Sequence, residues 1–232
     1  MQNKQPHWVV LLILFSFTVL SSQSVYDPLA EEKSTLIKSL EKRFNIRDRK
    51  IITALESVKR EDFLPQNMIK YSYVDISLPL DSVNTIISHS DITKVILNIK
   101  NPDRGKVLII GRNCGFAAAV VASLYTEVFV IESNTAEEER YRMIFPEKYG
   151  NVNYAFTNDY SYFSASAPFD LILLNGTLSG FSGNFMEQLK EGGEIIFPMT
   201  DSDGFQLLYR AEKHTGTYTL DIIGEVMFPP LR

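Results

Sequence analysis

The densest chemical signal in this chain is a turn between two apolar runs, Gly111-Arg112-Asn113-Cys114-Gly115. It follows Lys106–Ile110, and Glu132 closes the next apolar run roughly twenty positions on, where an acid grips ribose hydroxyls in nucleotide-binding α/β units. Glycines in such a turn let backbone approach a ligand that a Cβ would hold off. Asp159, after a third run, is placed to receive an adenine amino group. Together these residues point to an adenosine site. Each has a plainer reading as well: Gly111 and Gly115 turn the chain, Glu132 is a solvated strand end, and Asp159 caps the turn that follows it. No Gly-Lys-Ser/Thr is present, so the turn is not a phosphate loop, and the incomplete Gly-x-Gly-x-x-Gly disfavours a dinucleotide. Cys114 has no second cysteine or adjacent histidine and reads as a small packing residue.

Alternating elements must hold this turn. Helical spacing covers Ala30–Phe44, with Leu36, Ile37, Leu40 and Phe44 on one side, then Asp48–Ser57 and Ser90–Ile99. Lys59–Pro65 closes the second helix, and Tyr71–Pro79 is irregular or a short strand. Strands are expected at Lys106–Ile110, Val128–Ile131, Val152–Phe156, Phe169–Leu174 and Glu194–Phe197. Helices are expected at Phe116–Tyr125, Thr135–Phe145 and Asn184–Leu189. Asn134 and Glu137 look like a capping box, and Glu191-Gly192-Gly193 like a turn. Phe205–Arg210 and Thr217–Ile223 read as a closing antiparallel pair. The pattern implies a three-layer α/β/α Rossmann-like fold with a mostly parallel sheet. Residues 30–232 read as one domain: a helical, substrate-side part over 30–100, a cofactor half over 105–200, and closing strands over 201–232.

Hydrophobic residues make up 45% and charged residues 22% of the 232, the balance of a globular protein. Net charge is −5 with no basic run, which argues against nucleic acid as a partner. One cysteine cannot form an internal disulfide, and the three histidines are scattered, so no zinc site is expected. Residues 1–24 combine Lys4, the uncharged run Trp8–Leu20 and Ser22-Gln23-Ser24. The run is short for a membrane span, which needs roughly 20 residues. It suits a signal peptide, cleaved or retained as an anchor. The expected location is therefore exported, periplasmic or secreted, with membrane contact through this segment alone.

The chain resembles the protein-L-isoaspartate O-methyltransferases, class I S-adenosylmethionine (SAM) enzymes, from about Ile46 to Arg232. Ala54–Pro65 (ALESVKREDFLP) is similar to the family's A-x-x-x-V-P-R-E-x-F-V. Leu78–Ser88 (LPLDSVNTIIS) is similar to L-P-I-G-x-G-Q-T-I-S, and KVLIIGRNCGF to R-V-L-E-I-G-T-G-S-G-Y. FVIES, APFDLILLNGT, LKEGGEIIFPM and the final MFPPLR follow the family's later motifs in order.

The resemblance implies methyl transfer from SAM, without a metal, to the free carboxylate of isoaspartyl residues in damaged proteins, by a monomer that in this family is usually cytoplasmic. It implies that Gly111, Asn113, Gly115, Glu132 and Asp159 bind the cofactor, and that Thr85 and a serine serve catalysis. Several positions depart from the pattern. Ile87 stands at the family's serine, with Ser88 one place later. Ile109 replaces the strand-end acid, Asn113 the second glycine, and Asn175-Gly176-Thr177 the Thr-Ala-Ala segment. His89 reads as a surface or loop residue, and Tyr160, Tyr162 and Phe163 as core packing or pocket lining. An alternative is an exported, non-catalytic binding protein on the same fold.

Overall fold

The computed structural model describes residues 27–100, 105–178 and 184–231; the leader expected over residues 1–24 lies outside them. Helix α1 (Pro28–Phe44) starts where the Asp27 carboxylate accepts the Leu29 N–H, and ends at Asn45 in a left-handed conformation (φ 49°). Helix α2 (Arg49–Ser57) is capped likewise by Asp48. Two tight turns, Arg60–Phe63 and Gln66–Tyr71, lead to a small antiparallel hairpin of β1 (Leu78–Pro79) and β2 (Thr85–Ile86), then to α3 (His89–Leu97).

The alternating half follows: β3 (Lys106–Gly111), α4 (Gly115–Ala122), β4 (Glu127–Glu132), α5 (Glu138–Lys148), β5 (Val152–Phe156), β6 (Phe169–Asn175), α6 (Asn184–Glu187), β7 (Leu189–Thr200), β8 (Gln206–His214) and β9 (Thr217–Glu225). The seven strands lie in the order β5-β4-β3-β6-β7-β8-β9. The first five are parallel, and β8 and β9 close the sheet antiparallel. From β3 the chain winds outward through β4 to β5, then returns to the other side as β6. The switch point, where α/β sheets bind ligands, thus falls at the end of β3.

Both faces of the sheet are covered, which explains the unbroken apolar strands. Val107 and Ile109 of β3 face one core with Leu40, Ile52 and Val121; Leu108 and Ile110 face a second with Phe169, Ile172 and Phe197. All eight residues of α4 are buried, and Ala117–Ala119 let it lie close against the sheet. Each fully buried isoleucine or valine stabilises this sandwich by about 1.5–3 kcal/mol.

The structure departs from the sequence pattern in four places. Strand β7 runs straight through Glu191-Gly192-Gly193, because the extra residues are absorbed as a register shift against β6 and Gly192 takes φ 73°. The capping box at Asn134 does not form: its side chain accepts from the Ala136 N–H, while the Glu137 carboxylate pairs with Arg140 at 3.0 Å. The β1–β2 hairpin is too short to announce itself by periodicity. His89 is neither on the surface nor in a loop. It is the first residue of α3, 1% exposed, between the rings of Tyr73 and Phe116.

Candidate active site

At the switch point three strand ends stand side by side: Gly111 pairs with Glu132 on one side and with Asn175 on the other. A Cβ on Gly111 would lie 2.4 Å from the Asn175 carbonyl oxygen, so this glycine permits the close approach of β3 and β6. A Cβ on Gly115 would come within 2.6 Å of the Phe63 ring. Both glycines are therefore required by the protein's own packing. Asn113 holds φ 53°, the left-handed geometry that asparagine tolerates, and so turns the loop as a glycine would.

Glu132 is not a solvated strand end: its exposure is zero. One carboxylate oxygen accepts the N–H groups of Asn113 (3.0 Å) and Asn134 (2.7 Å). The other accepts the Cys114 N–H (2.8 Å) and the Tyr141 hydroxyl (2.6 Å). A carboxylate offers about four acceptor sites, and all are taken up. Burial raises the Glu132 pKa against the opposing pull of these donors, and burial beside this acid pushes the Tyr141 phenol well up. The Cys114 thiol is raised as well, by burial and then by Glu132, so it stays a neutral packing group. Tyr141, which completes this knot, carries no mark in the sequence beyond its helical position.

Two polar atoms beside the knot lack partners. Asn175 Nδ2 donates to the Arg112 carbonyl at 2.8 Å, which fixes the amide and leaves Asn175 Oδ1 buried without a donor. Asn113 Nδ2 is likewise buried and unpartnered. Such orphans are uncommon in folded proteins. A donor and an acceptor of this kind, at adjacent strand ends, fit the carboxylate and ammonium of an amino-acid group.

Asp159 lies past the end of β5, whose neighbour Thr157 donates its N–H to the Glu132 carbonyl at 3.1 Å. One Asp159 oxygen accepts the Ser161 N–H (2.9 Å) and hydroxyl (2.6 Å), the turn-capping role, and these bonds hold its pKa below the ordinary carboxylate value. Asp159 also lines a cavity of about 570 Å³ with Tyr160, Ser161, Phe185 and Gln188. Of the three aromatic candidates, Tyr160 lines this cavity, Phe163 packs edge-on against Phe129, and Tyr162 is exposed.

The catalytic candidates separate. Ser88 is the N-cap of α3: its hydroxyl accepts the Asp91 N–H (3.0 Å) and donates to the Asp91 carboxylate (2.8 Å). The hydroxyl proton and one of its two lone pairs are thus engaged in the helix cap. Thr85 sits in β2 opposite Pro79, half-buried. Ile87 and Ile109 meet, with Ala117, Leu173 and Phe228, around an apolar void of about 10 Å³, barely the size of one water. Arg60, fully buried in the turn before the hairpin, donates to the carbonyls of Ser72, Val74, Ile76, Ile86 and Ile87. Burial lowers its pKa to about 10. Among the described residues no cluster of His, Cys, Asp or Glu could hold a metal.

This strand order, with ligand-type residues at the ends of β3, β4 and β6, defines a class I methyltransferase fold. A sequence profile of the protein-L-isoaspartate(D-aspartate) O-methyltransferase family matches residues 31–232. A protein-L-isoaspartate O-methyltransferase of Roseobacter denitrificans is 30% identical over 203 residues, 87% of this chain and 95% of its own length. One from Parvibaculum lavamentivorans is 29% identical over 215 residues, 91% of this chain and 96% of its own. Among solved structures, a Plasmodium falciparum protein described as a protein-L-isoaspartate O-methyltransferase, in complex with S-adenosyl-L-homocysteine, superimposes with a TM-score of 0.72 at 19% identity, over 86% of this chain and 98% of its own. The chain belongs to the protein-L-isoaspartate(D-aspartate) O-methyltransferase family.

Proposed function

We propose that this protein methylates the free carboxylate of isoaspartyl residues in damaged proteins and peptides, with SAM as methyl donor. The observation that supports this best is the family match across 31–232 on a sheet whose switch point brings Gly111, Glu132 and Asn175 together. The residues present suit SAM at two points. Asn113 Nδ2 and Asn175 Oδ1, a donor and an acceptor matched to its amino-acid end, lie buried beside the turn without hydrogen-bond partners, and Asp159 lines a cavity wide enough for a nucleobase. Glu132 contributes differently: its acceptor sites belong to the loop, so it shapes the turn instead of gripping the ribose.

SAM supplies an electrophilic methyl group on a sulfonium. The protein's share is alignment. The attacking carboxylate is already ionised at neutral pH, so no base is required; of the polar residues at the start of α3, His89 is buried with a pKa of about 3 and the Ser88 hydroxyl is engaged in its cap. Holding the two reactants in line is then the main source of rate. The hairpin of β1 and β2, held by Arg60 on one side and by the Asn84–Arg112 contact on the other, offers a fixed edge beside the switch point for aligning the peptide.

Methyl transfer to an isoaspartyl peptide, compared with the aspartyl isomer, tests the reading. Turnover confined to the isoaspartyl peptide is the expected result; no transfer at saturating SAM refutes it. The apolar run Trp8–Leu20 supports export as the setting of this repair. N-terminal sequencing of the mature chain is expected to begin after residue 24, and a chain beginning at Met1 in the cytoplasm would refute export.

A further inference from the structure

We propose that Arg112 is the residue that receives a carboxylate of the isoaspartyl substrate, a role that rests on the methyltransferase reading above. Arg112 follows β3 directly, half-buried at the switch point. Its backbone carbonyl is held by Asn175 Nδ2 at 2.8 Å, and its Nε donates to Asn84 Oδ1 at 3.1 Å. Asn84 is aimed in turn by Asp81, whose carboxylate accepts the Asn84 side-chain amide at 2.6 Å and the N–H groups of Val83 and Asn84, each at 2.8 Å. A chain of hydrogen bonds, Asp81 to Asn84 to Arg112, thereby fixes the guanidinium through one of its nitrogens.

The two terminal nitrogens of that fork have no partner among the described residues. They are parallel donors in the end-on geometry that binds a carboxylate through both oxygens. The acids nearby cannot claim them. Glu132 is enclosed beneath the loop and saturated by four donors; Asp81 is hydrogen-bonded to Val83 and Asn84, which with the more weakly acting Arg112 charge hold its carboxyl below the ordinary value, and it makes no hydrogen bond to the guanidinium. Ile109 and Ile87, the neighbouring core residues, bring no charge. Among the described residues, what remains at this end of β3 is one oriented cation beside the hairpin, in a protein whose proposed reaction requires recognition of a free carboxylate. The guanidinium binds and orients the peptide. The transferred methyl goes to an oxygen of the isoaspartyl carboxylate, and Arg112 takes no part in breaking or forming that bond.

Equilibrium binding to the full chain tests this with two peptides, an isoaspartyl peptide and the same peptide with its isoaspartyl carboxylate converted to the amide. Wild type is expected to prefer the free acid about tenfold, the effect of a charge-assisted pair at a half-buried site, and to lose that preference as salt is raised. Arg112→Gln is expected to bind both peptides equally while staying folded, with at most the small drop in melting temperature that loss of the Asn84 contact brings, and Arg112→Lys to recover part of the preference. S-adenosylhomocysteine affinity should be the same in wild type and Arg112→Gln. A preference that survives Arg112→Gln, or no preference in wild type, overturns the proposal. Loss of S-adenosylhomocysteine binding in Arg112→Gln also overturns it, by assigning the guanidinium to the cofactor's own carboxylate. Wild type that discriminates the two peptides but transfers no methyl refutes the proposed reaction and leaves Arg112 as a carboxylate receptor.

Discussion

Replacing Glu132 by glutamine asks what this acid does. The carboxylate accepts four hydrogen bonds in a site closed to water. A glutamine amide keeps the shape but offers one accepting oxygen. Turned toward the Asn113 and Asn134 N–H groups, that oxygen preserves both bonds. The new NH₂ then faces the Cys114 N–H and the Tyr141 hydroxyl. The hydroxyl can reverse and accept, but the backbone N–H cannot, and it is left buried against another donor. An unsatisfied buried donor costs about 1–3 kcal/mol, and the two preserved bonds lose their charge assistance. The expected destabilisation is about 2–4 kcal/mol. Urea unfolding should show it as a midpoint lowered by roughly 1 M or more, for an unfolding slope of about 1–3 kcal/mol per M. Tyr141→Phe, which removes one donor of the four, should cost about half as much or less. Were Glu132→Gln to unfold within about 0.2 M of wild type while its affinity for S-adenosylhomocysteine collapsed, the carboxylate would be serving a ligand and not the loop, and this reasoning would fail.

Three further outcomes are expected. Ser88→Ala should lose about 1 kcal/mol of stability as a missing helix cap yet keep methyl transfer within about twofold per folded molecule; a hundredfold loss of rate in a folded variant would restore Ser88 to catalysis. Gly115→Ala should destabilise by about 1–3 kcal/mol, because the added methyl meets the buried Phe63 ring at 2.6 Å, and a neutral effect on thermal melting would contradict that packing. His89 has a folded pKa of about 3 against an ordinary 6.5, lowered first by burial and then by the Arg60 charge. The unfolded chain therefore takes up the proton first as pH falls. The stability contributed is full above about pH 6.5 and is lost toward pH 3, at about 1.4 kcal/mol per pH unit. His89→Phe should flatten that slope in urea titrations between pH 6.5 and 4; an unchanged slope would place the acid sensitivity elsewhere.

The parallel strands were legible because burial on both faces forces apolar runs that few other structures need; β3 through β6 lie within a residue or two of where those runs predict. Glu132 was legible as a position and not as a role. Its partners are mostly backbone N–H groups, which every residue type carries, so no pattern of side chains discloses them. Ser88 did carry a signal, the Ser-x-x-Asp spacing to Asp91 before an apolar helix, but the family's serine one place earlier drew attention from it. His89 was misjudged because its surroundings, Tyr73 and Phe116, are remote in sequence. Arg60 is the extreme case. The run Lys59-Arg60-Glu61-Asp62 was legible as the close of the second helix and as part of a family-like segment, but not as a buried anchor, because every carbonyl to which Arg60 donates lies 12 to 27 residues away.

That arginine decides where the molecule can open. Five carbonyls from two stretches of chain converge on one rigid guanidinium, and a lysine, with three donors on a flexible stem, could not replace it. The backbone at Ile86 and Ile87 is therefore riveted to the helical layer beneath. The hairpin is thus anchored at both ends, at its base by Arg60 and toward its tip by Asn84 on Arg112, so a polypeptide meets it as a preformed edge and not as a flap.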